Sequence, residues 1–495
     1  MRGLAAFGAG APPCPTVGQW KVTPASASVI VALMVQGPPP VTTNPLRLMW
    51  EDMKADRAAT VPFPPGELGF SIGRTRRYAE DPLNTLLEGY ERFGPVFTLK
   101  IFHHNVVVLL GPEANHHLLV TNAQNFRWRA GHFRDLIPLM GDGLLTTDGA
   151  FHREHRKLMV PAFHKDHIRG SLGVIQDEVD QAAEVFVPGA VVDLYDWTRH
   201  VALRVAMRAL FGLDPDAARA GGLDAAGEFE SALSFYGRDF MLQIARGPLT
   251  PFAQMRASRR RLDELIYGEI DRRRRSGERG PDILSMLLDA TDEDGRPLED
   301  RYVRDEVMTL MFAGHDTTTS TTSFLFYELA RHPEALEDPD VSIEMILDET
   351  LRLYPAAHLG PRRSVEPFEL LGHTVPGGIH VHYCSWASHR LPDVWEEPDR
   401  FDPLRFTEER KARLRKGQYV PFGGGSRTCL GMRFGQAEIG IIARTILERC
   451  RLELLPGYEL EIRHMPTISP RHGLPVTVRR VPASAPTVQE RALAA

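Results

Sequence analysis

Ten residues, Phe422-Gly423-Gly424-Gly425-Ser426-Arg427-Thr428-Cys429-Leu430-Gly431, set one cysteine at the end of a glycine-rich loop. An apolar, helix-periodic run (Phe434, Ala437, Ile441, Ile442) follows directly. A thiolate at Cys429 would have backbone N–H groups around its sulfur and a helix N-terminus behind it, and both favour negative charge. Such a thiolate can ligate haem iron, where it pushes electron density toward the metal and favours cleavage of a bound O–O bond. Glycines let the backbone pass close to a flat macrocycle, where a Cβ would clash. Arg427, two residues before the sulfur, has the length and charge to meet a haem propionate. Other chemistries fit less well. No β-branched run leads into the loop, no Gly-Lys-Ser/Thr follows, and Thr428 stands where a dinucleotide loop needs its third glycine. Zinc is not indicated either: Cys14, Cys384, Cys429 and Cys450 form no C-x-x-C pair, and no H-E-x-x-H occurs.

The longest helical pattern runs from about residue 301 to 331. Val303, Val307, Leu310, Met311, Phe324, Leu325 and Leu329 recur at helical spacing, and Pro333 closes the run. Its middle reads Ala313-Gly314-His315-Asp316-Thr317-Thr318. Glycine followed by threonines is poor helix chemistry, because a threonine hydroxyl can bond the i−4 carbonyl and bend the helix. From the residues alone, Thr317 to Ser323 serve either as a small-residue packing face or as a local opening where Asp316 and Thr317 relay protons. Glu349 and Arg352 form an i,i+3 pair in another helical run, ordinarily a surface ion pair. His152 and Arg156 share a helix face by i,i+4 spacing, and Arg362, with Arg363 beside it, precedes a strand-rich segment.

In this order the segments resemble the cytochrome P-450 family of haem-thiolate monooxygenases. Phe422, Gly425, Arg427, Cys429 and Gly431 stand at its F-x-x-G-x-R-x-C-x-G positions, and Ala313 to Thr318 match its A/G-G-x-D/E-T-T/S segment. Glu349 and Arg352 match E-x-x-R; His152 and Arg156 match W/H-x-x-x-R, with histidine where many members have tryptophan. The resemblance spans about residues 63 to 480. It implies haem b with Cys429 as axial ligand of the iron, Phe422 and Gly431 beside it, and His152, Arg156, Arg362 and Arg427 around the propionates. It implies that Asp316 and Thr317 are catalytic, passing protons to dioxygen, the co-substrate. His315 falls at a variable position and is given no role. Arg405, in Asp402-Pro403-Leu404-Arg405-Phe406, falls where the family's third cluster member stands. With Glu349 and Arg352 it is expected to fix the architecture behind the haem. The implied fold is mainly α with a small β-sheet region, triangular and helix-rich, in one haem domain. The implied reaction inserts one oxygen atom of dioxygen into a lipophilic small molecule, by hydroxylation or epoxidation. A peroxide-driven or isomerising relative would not need the Asp316–Thr317 pair, and a haem sensor would hold Cys429 without turnover.

The rest of the 495-residue chain must position these groups. With 43% hydrophobic and 25% charged residues, it is composed like a globular protein able to bury a large core. Four scattered cysteines fit a reducing cytoplasm rather than a disulfide framework. A net charge of -6 and the lack of a basic stripe with interleaved aromatics speak against nucleic-acid binding. Near the N-terminus the most apolar short run is Val29 to Val35, far below the roughly 20 residues of a membrane span. Residues 1–60 read as a flexible lead, with Met49 or Met53 as alternative starts; 61–482 read as the haem domain and 483–495 as a tail. Val96 to Ile101 and Val106 to Leu110 predict a hairpin, residues 112–355 are mainly helical, and short strands are expected near 452–455 and 476–481.

Substrate choice is expected from Arg127 to Leu144, Phe235 to Phe252 and Ala356 to Gly360. The second of these is apolar enough to favour a lipophilic ligand, or simply to pack between helices. No flavin- or iron–sulfur-binding sequence follows the haem domain, so electrons are expected from a separate ferredoxin- or flavodoxin-type donor with its NAD(P)H reductase. Arg410, Lys411, Arg413, Arg415 and Lys416, joined by Arg153 and Lys157, are the expected basic docking face.

Overall fold

A computed structural model describes residues 37–481, apart from 221, 239 and 292–294. Cys14, the run Val29 to Val35 and the tail 483–495 lie outside the described residues.

Helix α1 (Pro45–Arg57) starts where Asn44 accepts hydrogen bonds from the Leu46 and Arg47 amides and Pro45 occupies the first turn. The expected lead up to residue 60 therefore gives way to structure well before its end. Sequence periodicity missed this helix because it buries little apart from Leu48 and the charged Asp52. Asp52 ties it down by ion pairs to Arg134 and Arg363 and contacts to His103 and His380.

The main sheet has six strands: β1 (Gly66–Glu67), β2 (Val96–Ile101), β3 (His104–Leu109), β4 (Phe126–Arg127), β5 (Leu359–Ser364) and β6 (His380–Cys384). Their spatial order is β1-β2-β3-β6-β5-β4. The predicted hairpin is β2–β3, antiparallel from Val96↔Leu109 to Ile101↔His104. Alternation gives the sheet two distinct faces. Val107, Leu109, Val381 and Tyr383 pack with Leu119 and Val420, beside the cysteine loop. Val106, Val108 and Cys384 belong to the larger core on the other side, the face that also carries His104, His380 and His382.

Helix α2 (Gly149–Met159) carries His152 and Arg156. Helix α3 (Asp300–Arg331) is a rod of 32 residues, about 48 Å at 1.5 Å per residue, and it is buried almost all round. It packs on helix Leu194–Val205, on α4 (Ile343–Leu353) and on α5 (Met432–Arg449), so it runs through the middle of the fold. Ser342 caps α4 by accepting from the Met345 amide, and Pro355 stops further helix. Helix α5 leaves the cysteine loop directly and runs into strand Cys450–Leu454, which pairs with Pro475–Arg480 and through it with Val191–Asp193. Among the described residues, no helix is long and apolar enough to cross a membrane.

Candidate active site

The cysteine loop is a compact turn. The Cys429 amide donates to the Phe422 carbonyl at 2.9 Å, and Gly425–Arg427 form a 3-10 turn between them. Gly423 and Gly425 have φ of +68° and +59°, which a side chain would strain. A Cβ on Gly425 would run into the Leu119 carbonyl oxygen. Glycine is thus required at 425 by the neighbouring chain, a nearer reason than the macrocycle clearance expected from sequence. Cys429 is exposed although protein crowds it on most sides. Burial pushes the thiol up; the Gly431 and Met432 amides and the Arg156 charge pull it back. A metal at the sulfur would displace the proton outright.

Around this loop stand four cationic or cation-capable groups. Arg156 donates to the Thr428 carbonyl at 2.7 Å, which ties α2 to the residue before the cysteine. Arg427 donates to the Leu144 and Thr147 carbonyls and to Asp148 Oδ1 at 2.8 Å; burial lowers it to about 9. His152 is buried on the same helix as Arg156, and burial first, then Arg427 and Arg156, hold it neutral at about 2. Arg362 is buried at 2% exposure and stacks 3.5 Å over the Trp128 ring. It donates to the Pro361 carbonyl at 2.9 Å and meets the Tyr383 side chain; no carboxylate pairs with it among the described residues, and burial lowers it to about 10. Register separates it from Arg363. Arg362 pairs with Val381 in the sheet, whereas Arg363 lies beside His380 on the other face and binds Asp52 at 3.0 Å.

Helix α3 stays helical through Ala313–Thr318, so the expected local opening is not a break. Instead Thr317 Oγ1 donates to the Ala313 carbonyl at 2.6 Å, and Thr321 Oγ1 to the Thr317 carbonyl at 2.9 Å. Ala313, Gly314 and Thr317 are half-buried in an otherwise buried stretch, and their i, i+1, i+4 spacing puts them on one face. Asp316 is directed elsewhere: Thr467 Oγ1 donates to its Oδ2 at 2.6 Å. Thr467 is a partner that sequence could not announce, since it lies 151 residues away in a loop without a motif. Asp148 is another. It accepts from the Trp128 and Arg129 amides as well as from Arg427, and so fixes the entry to α2.

The Glu349–Arg352 pair is fully buried and bidentate, at 2.7 and 2.8 Å. The remaining Arg352 N–H groups go to the carbonyls of His389, Pro398 and Arg400, so all five donors are used. Arg405 Nε stands 3.4 Å from Glu349 Oε1, and the Asp402 amide donates to the same oxygen. The predicted three-residue cluster is thus assembled in space.

A buried guanidinium without a carboxylate partner among the described residues, an exposed cysteine, and basic groups around the loop fit a flat iron macrocycle with anionic substituents. The chain matches the cytochrome P-450 family over residues 62–338 and 342–474, and it belongs to that family. It is a haem-dependent cytochrome P-450 monooxygenase that uses dioxygen and takes electrons from a redox partner. Among curated relatives it is similar to cyclooctat-9-en-7-ol 5-monooxygenase of Streptomyces melanosporofaciens, 33% identical over 67% of this chain and 77% of that protein. Cyclooctatin synthase of the same organism is 30% identical over 81% of this chain and 91% of its own length. Among solved structures, retinoic acid-bound cyanobacterial CYP120A1 superposes with a TM-score of 0.75 at 26% identity, over 85% of this chain and all of that one.

Proposed function

We propose that Cys429 is the axial thiolate of the haem iron, with the propionates held by Arg362, Arg427, Arg156 and His152, and that the substrate is a lipophilic, unsaturated small molecule. The observation that carries the site assignment is Arg362, a cation sealed in the interior with no carboxylate partner among the described residues. When bound, the haem supplies the activation of dioxygen. Residues of this chain do the rest. Arg156 holds the Thr428 carbonyl and thereby the cysteine loop. Phe422 and Gly431 frame that loop, one accepting from the Cys429 amide and the other capping α5. Thr317 stands on the half-buried face of α3 with its hydroxyl bonded to the Ala313 carbonyl. Thr467 holds Asp316 Oδ2 and so sets the orientation of the carboxyl group that relays protons. The substrate class is supported by the buried Phe235 and Tyr236 and by the relatives' names, an alkenol in one case and retinoic acid in the other.

The electron donor is proposed to be an acidic ferredoxin- or flavodoxin-type protein, served by an NAD(P)H reductase. Four of the five cluster cations are spent on ion pairs: Arg410 with Asp402, Lys411 with Asp348, Arg413 with Glu409 and Arg415 with Glu113. Lys157 is likewise paired with Glu154. Arg153, Lys416 and Arg433 are exposed and have no carboxylate partner among the described residues. These three are the better candidates for steering the donor.

One protein preparation tests both parts. Reduced protein with carbon monoxide should show the strongly red-shifted Soret band of thiolate ligation, lost in Cys429→His; a histidine-type spectrum in the wild type would exclude the ligand assignment. Reduction by an acidic ferredoxin should slow with salt, and Arg153→Glu with Arg433→Glu should flatten that dependence. Rates indifferent to both would exclude this docking face.

A further inference from the structure

We propose that His104, His132 and His380 form a site for one zinc-class divalent cation, on the face of the main sheet turned away from the cysteine loop. One ring nitrogen from each of the three lies within 4.8 Å of the others. Tetrahedral zinc with bonds near 2.0–2.1 Å needs ligand atoms about 3.4 Å apart, a spacing that modest rotations of the rings would reach. The sheet builds the site: His104 opens β3, His380 opens β6, and the parallel register Val106↔His380 brings them to one face. Their ring centroids are 4.6 Å apart, and the His132 ring stacks 4.6 Å from His380.

The orientation of the nitrogens points to a ligand. His380 Nε2 is held by Asp52 Oδ1 at 3.0 Å, which leaves Nδ1 buried without a hydrogen-bond partner. On the other strand, His104 Nδ1 meets His103 Nε2 at 3.2 Å, and its Nε2 is likewise buried without a partner. A metal-binding histidine ordinarily has one nitrogen fixed by a carboxylate or another protein group and the other free for the metal. Both buried imidazoles have that arrangement, with Asp52 as the carboxylate. Arg134 and Arg363 bring positive charge near the site, but both are paired with Asp52, and Asp135 lies 3.5 Å from His132. Three imidazoles select zinc, cobalt, nickel or copper over calcium or magnesium. His132 is half-buried, so a fourth position on its side can be filled by water.

Such a cation would tie β3 and β6 to the turn His132–Leu136. That turn carries Phe133, whose ring lies 4.4 Å from Trp128, the shelf under Arg362. The site would thus brace the segment before α2 that sequence nominates for substrate choice.

The test uses untagged, haem-loaded, full-length protein, cleared of loose metal with a chelator and titrated with Zn²⁺ against a chromogenic competitor. One Zn²⁺ per chain, bound tighter than about 1 μM, is expected. His132→Ala and His104→Ala should each weaken it at least tenfold while the haem spectrum stays unchanged. Because His132 is half-buried on a turn, its variant reports on the site if His104→Ala fails to fold. Zn²⁺ should also raise the melting temperature of the wild type and not that of His132→Ala. Binding weaker than about 100 μM in the wild type, or wild-type zinc affinity in His132→Ala, would overturn the proposal.

Discussion

Arg352 and Arg362 are both arginines buried in the same domain, yet the protein treats them in opposite ways. Every N–H of Arg352 has a partner, two on Glu349 and three on backbone carbonyls. Arg362 has the Pro361 carbonyl and the faces of Trp128, Phe133 and Tyr383. A buried charge is tolerable only when it is paired and hydrogen-bonded. Arg352 meets that condition within the chain, so its work is architectural. Arg362 does not among the described residues, which fits a bound anion as its partner. Arg427 lies between the two, partly satisfied by Asp148 and two carbonyls.

Mutation of the architectural residue should have the largest effect. Arg352→Ala leaves buried Glu349 with only the longer contact to Arg405 and should cost about 3–5 kcal/mol, enough to remove most soluble, haem-loaded protein. Denaturant unfolding of whatever folds would measure it, and a loss below 1 kcal/mol would erase the contrast with Arg362. For Arg362→Ala the sign should depend on the cofactor. Without haem, stability should hold or rise, since an unpaired buried charge has gone. With haem, one charge-assisted contact of about 1.5–3 kcal/mol is lost, so haem dissociation should quicken roughly tenfold or more. Equal destabilisation of both forms would mean that Arg362 is structural after all.

Acid should probe the Arg352 side specifically. His389, fully buried there, accepts from the Val420 amide through Nε2 at 2.9 Å and meets the Arg352 carbonyl through Nδ1 at 3.2 Å. Burial lowers it to about 3. Its contribution to stability is therefore present above about pH 6.5 and is lost as pH falls from there toward 3, because only the unfolded imidazole takes up the proton. His389→Gln should flatten the slope of unfolding free energy with pH by up to about 1.4 kcal/mol per pH unit over that window. An unchanged slope would indicate that this ring is protonated in the fold. Thr317→Ala should have the smallest effect on stability. Substrate should still bind, but product per NAD(P)H consumed should fall and peroxide should rise. Thr467→Val, by freeing Asp316, should shift coupling without touching haem binding; unchanged coupling in both would assign this part of α3 to packing.

Local chemistry was legible in the sequence wherever a short spacing carried it. The cysteine loop, Asp316–Thr317, Glu349–Arg352 and His152–Arg156 all lie within one turn or loop, and each is found where its spacing predicts. The boundaries of α3 came out within a residue of the expected 301–331, because its apolar spacing runs the whole length and Pro333 closes it. Helix α1 was missed because a charge network, rather than an apolar stripe, holds it. The pairing within the basic cluster was not legible, because counting cations does not show the acids that meet them, some 300 residues away in the case of Arg415–Glu113.

By itself, then, the sequence determined the family, the cofactor chemistry and the residues that could serve it, since these depend on side-chain type and on spacings fixed by a helical turn or a loop. Tertiary structure decided which cations of the basic cluster meet distant acids, as Lys411 meets Asp348 and Arg415 meets Glu113, because those partners come from other elements of the fold. It alone separated Arg362 from Arg363, by the two-residue alternation of a strand whose faces meet different cores. It also gathered His104, His132 and His380, one from each of three segments, around a single point on the sheet.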